Sequence, residues 1–296
     1  MDFIWLFFIY AFMGWCAEVI YAAVCTGIFV NRGFLNGPVC PVYGFGVLIV
    51  IYLLTPLKEN LILLFIGSVI LTSTLEWLTG CTLENIFHHK WWDYSDVPFN
   101  ISGYICLKFS LMWGLACLLI MNVIHPVIYD LIGLIDIRVG KVLISVLLAC
   151  IIVDITATVQ SILKLNKQLK QINEIAANIR NLSDEIGVRI STESISIMEK
   201  GEKLKNIMEK RKAVASDVIE ESKSIANELI EEQRTLIAQK LERYKIRIFE
   251  LKEKRNELLN KSFFGQKRLL HAFPGMKSQH YKEALEDLKQ KLLNNK

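Results

Sequence analysis

Apolar and polar residues divide this chain into two regimes. Up to about residue 160 it consists of near-continuous apolar runs, and beyond that it is polar, lysine-rich and helically periodic. A segment of roughly 20 mostly apolar residues crosses about 30 Å of hydrocarbon with its backbone hydrogen bonds satisfied internally. Five stretches qualify: Phe3–Val24, Val39–Leu54, Leu61–Leu78, Tyr104–Ile124 and Val142–Val159. The second is the weakest. It is short, opens on Val39-Cys40-Pro41 and carries Gly44 and Gly46, so the pattern leaves open a full span or a re-entrant segment. The expectation is an all-α chain: a polytopic helical membrane bundle of about five spans over residues 1–160, then a soluble, coiled-coil-like helical tail over 161–296.

Within the tail, Ile and Leu recur at alternating three- and four-residue spacing. Ile172, Ile175, Ile179, Leu182 and Ile186 make one stripe; Ile237, Leu241, Tyr244, Ile248, Leu251 and Leu258 make another, with Arg255 in the seam. Gly187, Gly201 and the Ser191-Thr192-Glu193-Ser194 stretch interrupt this pattern. They predict a first helix continuing from the fifth span, a break in the 187–201 region, and a long second helix to about Ser262. The two helices would fold back as a hairpin or pair with a second protomer. Gly265 and Phe273-Pro274-Gly275 predict a loop before a short last helix, His280–Leu293.

Charge orients the chain. Of 34 Lys and Arg, only Arg32, Lys58, Lys90, Lys108, Arg138 and Lys141 precede residue 161, so the tail is net +8 and the membrane half net −4. Lys164, Lys167 and Lys170 follow the fifth span directly and predict a cytoplasmic tail. An odd number of spans then puts the N-terminus outside and the Arg32 and Lys90 loops inside. Met1-Asp2-Phe3 has no basic n-region and no small-residue cleavage site follows, so the first span reads as a retained anchor. Acids are interleaved with bases along the tail and no aromatic series accompanies them, which argues against nucleic acid; anionic lipid fits the first basic turn better. All seven cysteines lie in the membrane half without metal-ligand spacing and read as packing residues. The sequence calls for no metal and no cofactor.

Charges within a span cost about 2.5–3.5 kcal/mol each on insertion scales, so they mark sites or buried pairs. Glu18, Glu76 and Asp154 are the acids concerned, with Lys108 as a counter-ion candidate. The first inner loop, Asn31-Arg32-Gly33-Phe34-Leu35-Asn36-Gly37-Pro38 running into Cys40-Pro41-Val42-Tyr43-Gly44, is a tightly specified turn. Its amides, with Arg32, would line an anion or substrate site; the plainer reading is a re-entry turn. The second inner loop, Phe87 to Gly103, carries Trp91, Trp92 and Tyr94, which suit a membrane interface. It leaves His88, His89, Asp93 and Asn100 unexplained. The candidate polar pocket is therefore Glu18, Arg32, Asn36, Gly37, Tyr43, Glu76, Asp93 and Asn100. No nucleotide-binding P-loop, G-x-S-x-G or H-E-x-x-H segment occurs.

The first-loop motif, with Trp91-Trp92-Asp93-Tyr94-Ser95 and Pro98-Phe99-Asn100-x-x-Gly103, closely resembles the CmpB-type family of ABC transporter permeases of Gram-positive bacteria, over roughly residues 1–150. The resemblance implies a membrane subunit of an ABC system with a separate ATPase subunit, and carries over no substrate and no catalytic residue. The chain lacks the E-A-A…G coupling loop of importer permeases. Three functions stand open: a transporter-type membrane subunit, a membrane-embedded enzyme acting on lipid-linked or amphiphilic substrates through these residues, and a membrane-anchored coiled-coil scaffold or sensor. The tail is a candidate homo-oligomer contact, and the lipid bilayer is a partner in all three.

Overall fold

A computed structural model describes residues 2–211 and 216–293. The chain runs α1 (Asp2–Thr26), α2 (Pro41–Leu54), α3 (Leu61–Phe87), β1 (His89–Lys90), β2 (Asn100–Ile101), β3 (Ile105–Cys106), α4 (Leu107–Leu119), α5 (His125–Gly133), α6 (Ile137–Arg211), α7 (Ser216–Asn260), α8 (Gln266–Ala272), β4 (Lys277–Ser278) and α9 (Lys282–Leu293). It is an all-α protein, a helical membrane bundle followed by a helical tail. Asp2–Thr26, Leu61–Phe87, Leu107–Gly133 and Ile137–Thr192 are long and apolar enough to cross a membrane; Pro41–Leu57 is apolar but shorter.

Local chemistry sets the helix limits. Pro41 sits in the first turn of α2, where its missing N–H is an orphan in any case. Asn60 caps α3 by accepting from the amides of Ile62 (3.1 Å) and Leu63 (3.2 Å), and His88 ends it in the left-handed conformation. Between α4 and α5 the helix widens into a π turn over Ile120–Ile124. Pro126, just beyond, has no N–H for the carbonyl of Asn122 and its ring crowds that oxygen, and a wider turn relieves both. Asp136 caps α6 through the amide of Arg138, 2.8 Å away.

Two compact units result. The first comprises Met1–Leu169 together with Ser262–Lys296. One patch of its core joins Leu6, Tyr10, Val47, Ile128 and Ile132, and a second joins Val50, Leu54, Leu64, Cys117 and Met121. α1 and α2 approach closely where Gly14 faces Tyr43: any side chain at Gly14 would overlap the tyrosine ring. The second unit, Lys170–Lys261, is an antiparallel helix pair. Lys200 Nζ donates to Gln233 Oε1 (3.3 Å), Tyr244 donates to Glu185 (2.9 Å), and Ile186 and Ile190 face Ile237 and Leu241. Within the single chain the two helices fold back on one another as a hairpin.

The expected break at 187–201 is absent, because α6 is continuous through it to Arg211. Neither Gly187 nor Gly201 has a positive φ, and nothing stands within 4 Å of where a Cβ would project. Each costs the helix only about 1 kcal/mol, too little to end it among good helix formers packed against α7. The polar stretch does not compete either: Ser183 and Thr192 turn their hydroxyls back onto the carbonyls of Ile179 and Val188. The four residues between α6 and α7 lie outside the described residues. Gly187→Ala and Gly201→Ala should each stabilise the hairpin by up to about 1 kcal/mol, read as a rise in the thermal midpoint followed by circular dichroism. A fall would mean that either glycine serves as a hinge.

Candidate functional site

The loop 31–38 is held from two sides by opposite charges. Asp154 of α6 accepts from the amides of Asn36 (3.0 Å) and Gly37 (2.7 Å) and from the Asn36 side chain (3.0 Å), which also reaches Thr158 (3.0 Å). Arg268 of α8 donates to the carbonyls of Gly33 (2.6 Å) and Phe34 (3.0 Å). Asn31 completes the turn, accepting from Trp15 Nε1 (2.8 Å) and the Gly33 amide (3.1 Å) while donating to the Asn36 carbonyl (2.8 Å). The amides of Asn36 and Gly37 are therefore already committed to a carboxylate of the chain itself.

That turn sets Arg32 beside Glu18. Arg32 Nε lies 3.5 Å from Glu18 Oε2, an ion pair short of hydrogen-bond geometry, and its guanidinium sits over the Tyr21 ring at 5.5 Å. Tyr43, from the first turn of α2, donates to the other Glu18 oxygen at 2.5 Å. Glu76 of α3 comes within electrostatic range of Glu18 and neighbours Tyr94, while its Oε2 is buried without a hydrogen-bond partner. Four of the eight sequence candidates, Glu18, Arg32, Tyr43 and Glu76, thus share one polar cluster within the helices. Tyr94, in the second loop, joins them; burial pushes its phenol above its ordinary range, and the charges of Glu76 and Glu18 add to the effect. Lys108 is exposed on α4, lies 5.8 Å over the Phe109 ring, and pairs with none of these acids among the described residues.

Asp93 and Asn100 lie apart from that cluster and brace the second loop. Asn100 donates to the carbonyls of Val97 (2.8 Å) and Ser95 (3.2 Å) and accepts from the Gly103 amide (3.2 Å). Gly103 has φ +69°, and a side chain there would collide with Asp93, Ser95 and Lys90. Asp93 receives Lys277 (2.6 Å), Lys90 (3.0 Å) and the Ser95 hydroxyl (2.5 Å). Burial alone would raise its carboxyl, but the donated bonds outweigh it and hold the group well below the usual carboxylate range.

The C-terminal segment 262–293 joins both loops. Phe273 packs edge-on against Trp91 (5.1 Å), which in turn meets Phe34 of the first loop (5.1 Å) and Phe87 (6.1 Å). β4 pairs antiparallel with β1, His89 opposite Ser278 and Lys90 opposite Lys277. Gln279 donates to Glu84 (2.7 Å), Gln266 to Gln168 (2.6 Å), and Ser161 to the Phe264 carbonyl (3.1 Å). Along the α6 stretch these bonds bracket, Ile162 and Leu165 are wholly buried, as is Leu169 just beyond it. Sequence reading missed Arg268, Phe273 and Lys277. The available signal was the Gly265 to Gly275 stretch, whose glycines and proline read only as loop.

Residues 5–159 match the family described as "Putative ABC-transporter type IV", the CmpB type. That is more than half of the chain. The chain belongs to this family. The CmpB-type region contains the clamp acid Asp154, the Glu18–Arg32–Tyr43–Glu76 cluster and the whole second loop, and leaves out the C-terminal segment that covers them. No curated protein and no solved structure matches the chain.

Asp154→Asn turns an acceptor of two backbone amides into a half-donor and should cost about 2–4 kcal/mol. Tyr43→Phe removes one bond to a charged group and should cost about 1–2 kcal/mol. Thermal unfolding in mild detergent ranks them; a silent Asp154→Asn would mean that the clamp is not what holds the loop.

Proposed function

We propose that this protein is the membrane subunit of an ABC-type transport system, multi-pass in the plasma membrane, with its N-terminus outside, its tail in the cytoplasm, and ATP hydrolysis supplied by a separate chain. The observation that carries the reading is the partly buried Glu18–Arg32–Tyr43 group, with Glu76 nearby, inside the region that matches the transporter family. Ionisable groups at helix depth are costly and mark solute pathways by default. Support for five crossings comes from connectivity. α2 leaves the loop 31–38 and hands over to α3, whose far end returns to pack Phe87 against Phe34 of that same loop. The 17 apolar residues Pro41–Leu57 rise about 25 Å as a helix, close to the hydrocarbon thickness.

An enzyme acting on lipid-linked or amphiphilic substrates is the weaker reading. Of its head-group residues Arg32, Asn36 and Gly37, the amides of the last two are occupied by Asp154, and of its proton-transfer candidates Glu18, Glu76 and Asp93, the last is tied up by two lysines.

Affinity purification of the full chain from mild detergent should recover an ATPase subunit. In nanodiscs, Glu18→Gln should lower the stimulated ATPase rate of that complex at least tenfold without dissociating it. Repeated recovery of the chain without an ATPase would overturn the transport reading. Cysteines placed in the 31–38 loop should label only from the cytoplasmic side, and labelling from outside would overturn the orientation.

A further inference from the structure

His89 is the most unusual titratable group outside the polar cluster. Its side chain is 0 % exposed, and neither ring nitrogen has a hydrogen-bond partner. The docked C-terminal segment adjoins it at two points: its backbone pairs with Ser278 of β4, and Lys289 of α9 acts on its ring. A buried imidazole without partners is tolerable when neutral; as a cation it would need an acceptor.

The groups around it offer little against the cost of burial, and no carboxylate is among those that act on it. From α9 comes Lys289, buried, donating to the carbonyls of Pro274 (3.0 Å) and Met276 (2.7 Å) and paired with Glu286 (3.0 Å). From its own segment comes His88, whose ring is tilted at 54° against that of His280, 5.2 Å away. α6 contributes the neutral Asn166, whose Nδ2 is spent on the Phe87 carbonyl (3.1 Å) and whose side chain favours the imidazolium, though by less than burial disfavours it; the ring of Trp91 stands edge-on at 6.2 Å with its own Nε1 unpartnered. The carboxylates of this interface serve elsewhere: Asp93 holds Lys277 and Lys90, and Glu84 holds Gln279 and Tyr104.

We propose that the C-terminal segment 262–293 is a latch over the loop end of the helical bundle that opens on acidification, with His89 as the group whose protonation releases it. Opening frees the carbonyls of Gly33 and Phe34 from Arg268 and withdraws Phe273 from Trp91, so the turn that presents Arg32 to Glu18 loses one of its two supports. The latch stands on the docking geometry and does not depend on the transport reading. Burial pushes His89 down to about 4, against 6.5 for an ordinary histidine. Docking is therefore at full strength above pH 6.5 and weakens by up to about tenfold per pH unit as pH falls toward 4. Asp93, held far lower, keeps its grip on Lys277 throughout that window.

The test is amide hydrogen exchange of the full chain in nanodiscs, corrected for the intrinsic pH dependence of exchange. Protection of residues 269–292 should be constant from pH 8 to 6.5, then fall by up to tenfold per unit to pH 4.5, while α1 and α2 are unchanged. His89→Gln and His89→Phe should flatten the profile, and His88→Gln and His280→Gln should leave it as in the unsubstituted chain. A flat profile in the unsubstituted chain overturns the latch even if both His89 variants fail to fold. A slope that survives His89 replacement, or vanishes with His88 or His280, assigns the switch elsewhere and overturns the role of His89.

Discussion

The loop 33–37 is gripped through its backbone by a carboxylate on one side and a guanidinium on the other, and the site depends on that grip. Asp154 takes the amides of Asn36 and Gly37, and Arg268 takes the carbonyls of Gly33 and Phe34. Neither charge is fully solvated, and each would be costly to bury alone. The peptide groups between them supply the compensating dipoles, and the attraction of Asp154 for Arg268 acts across the loop. A turn fixed in this way has little freedom in where it sends its side chains. Asn31 turns inward to Trp15, and Arg32 is left to meet Glu18.

How much of this was legible in the sequence follows from which interactions are local. Span positions depend on the apolar content of contiguous residues, and the stretches read as spans correspond to α1, α2, α3, α4 and α6. Helix α3 runs nine residues past the expected Leu78, through a stretch whose Glu84 and Phe87 meet Tyr104 and Phe34 of the two loops and so need not be uniformly apolar. The two loop motifs were legible as rigid turns from their Gly, Asn and Pro residues, and the structure adds what rigidifies them. The partners of those turns were not legible. Asp154 is 117 positions from Gly37 and Arg268 is 234 from Phe34. In a tail with 28 basic residues among 20 acids, nothing local distinguishes Arg268 from its neighbours.

Glycine was over-read in the tail for a related reason. At Gly103 and Gly265 the backbone requires a positive φ, and both positions end or begin elements. At Gly187 and Gly201 the backbone is ordinary helix, and the small intrinsic penalty is spread over a 75-residue element stabilised on one face by α7. Composition alone does not separate these cases, since it is the φ demanded by the surrounding fold that makes a glycine a terminator. The polar candidates divide the same way. Glu18 and Tyr43 meet each other because α1 and α2 are forced together at Gly14, whereas Asn100 turns inward on its own loop and Asp93 is shared between that loop and Lys277.

Chain order adds a constraint of its own. The hairpin of α6 and α7 is an insertion whose two ends return to the first unit at Gln168 and Gln266, which bond to one another with both side chains buried. A buried amide pair of this kind contributes little net energy, but leaving either member unpaired would cost about 1–3 kcal/mol, so it fixes register more than it adds stability. Residues 262–293 are made after the membrane helices and the hairpin. Until they arrive the Gly33 and Phe34 carbonyls lack Arg268, Asp93 lacks Lys277, and Trp91 lacks Phe273. The loop end of the CmpB-type region is therefore completed by residues that lie outside it, which ties the state of the polar cluster to whatever acts on the C-terminal segment.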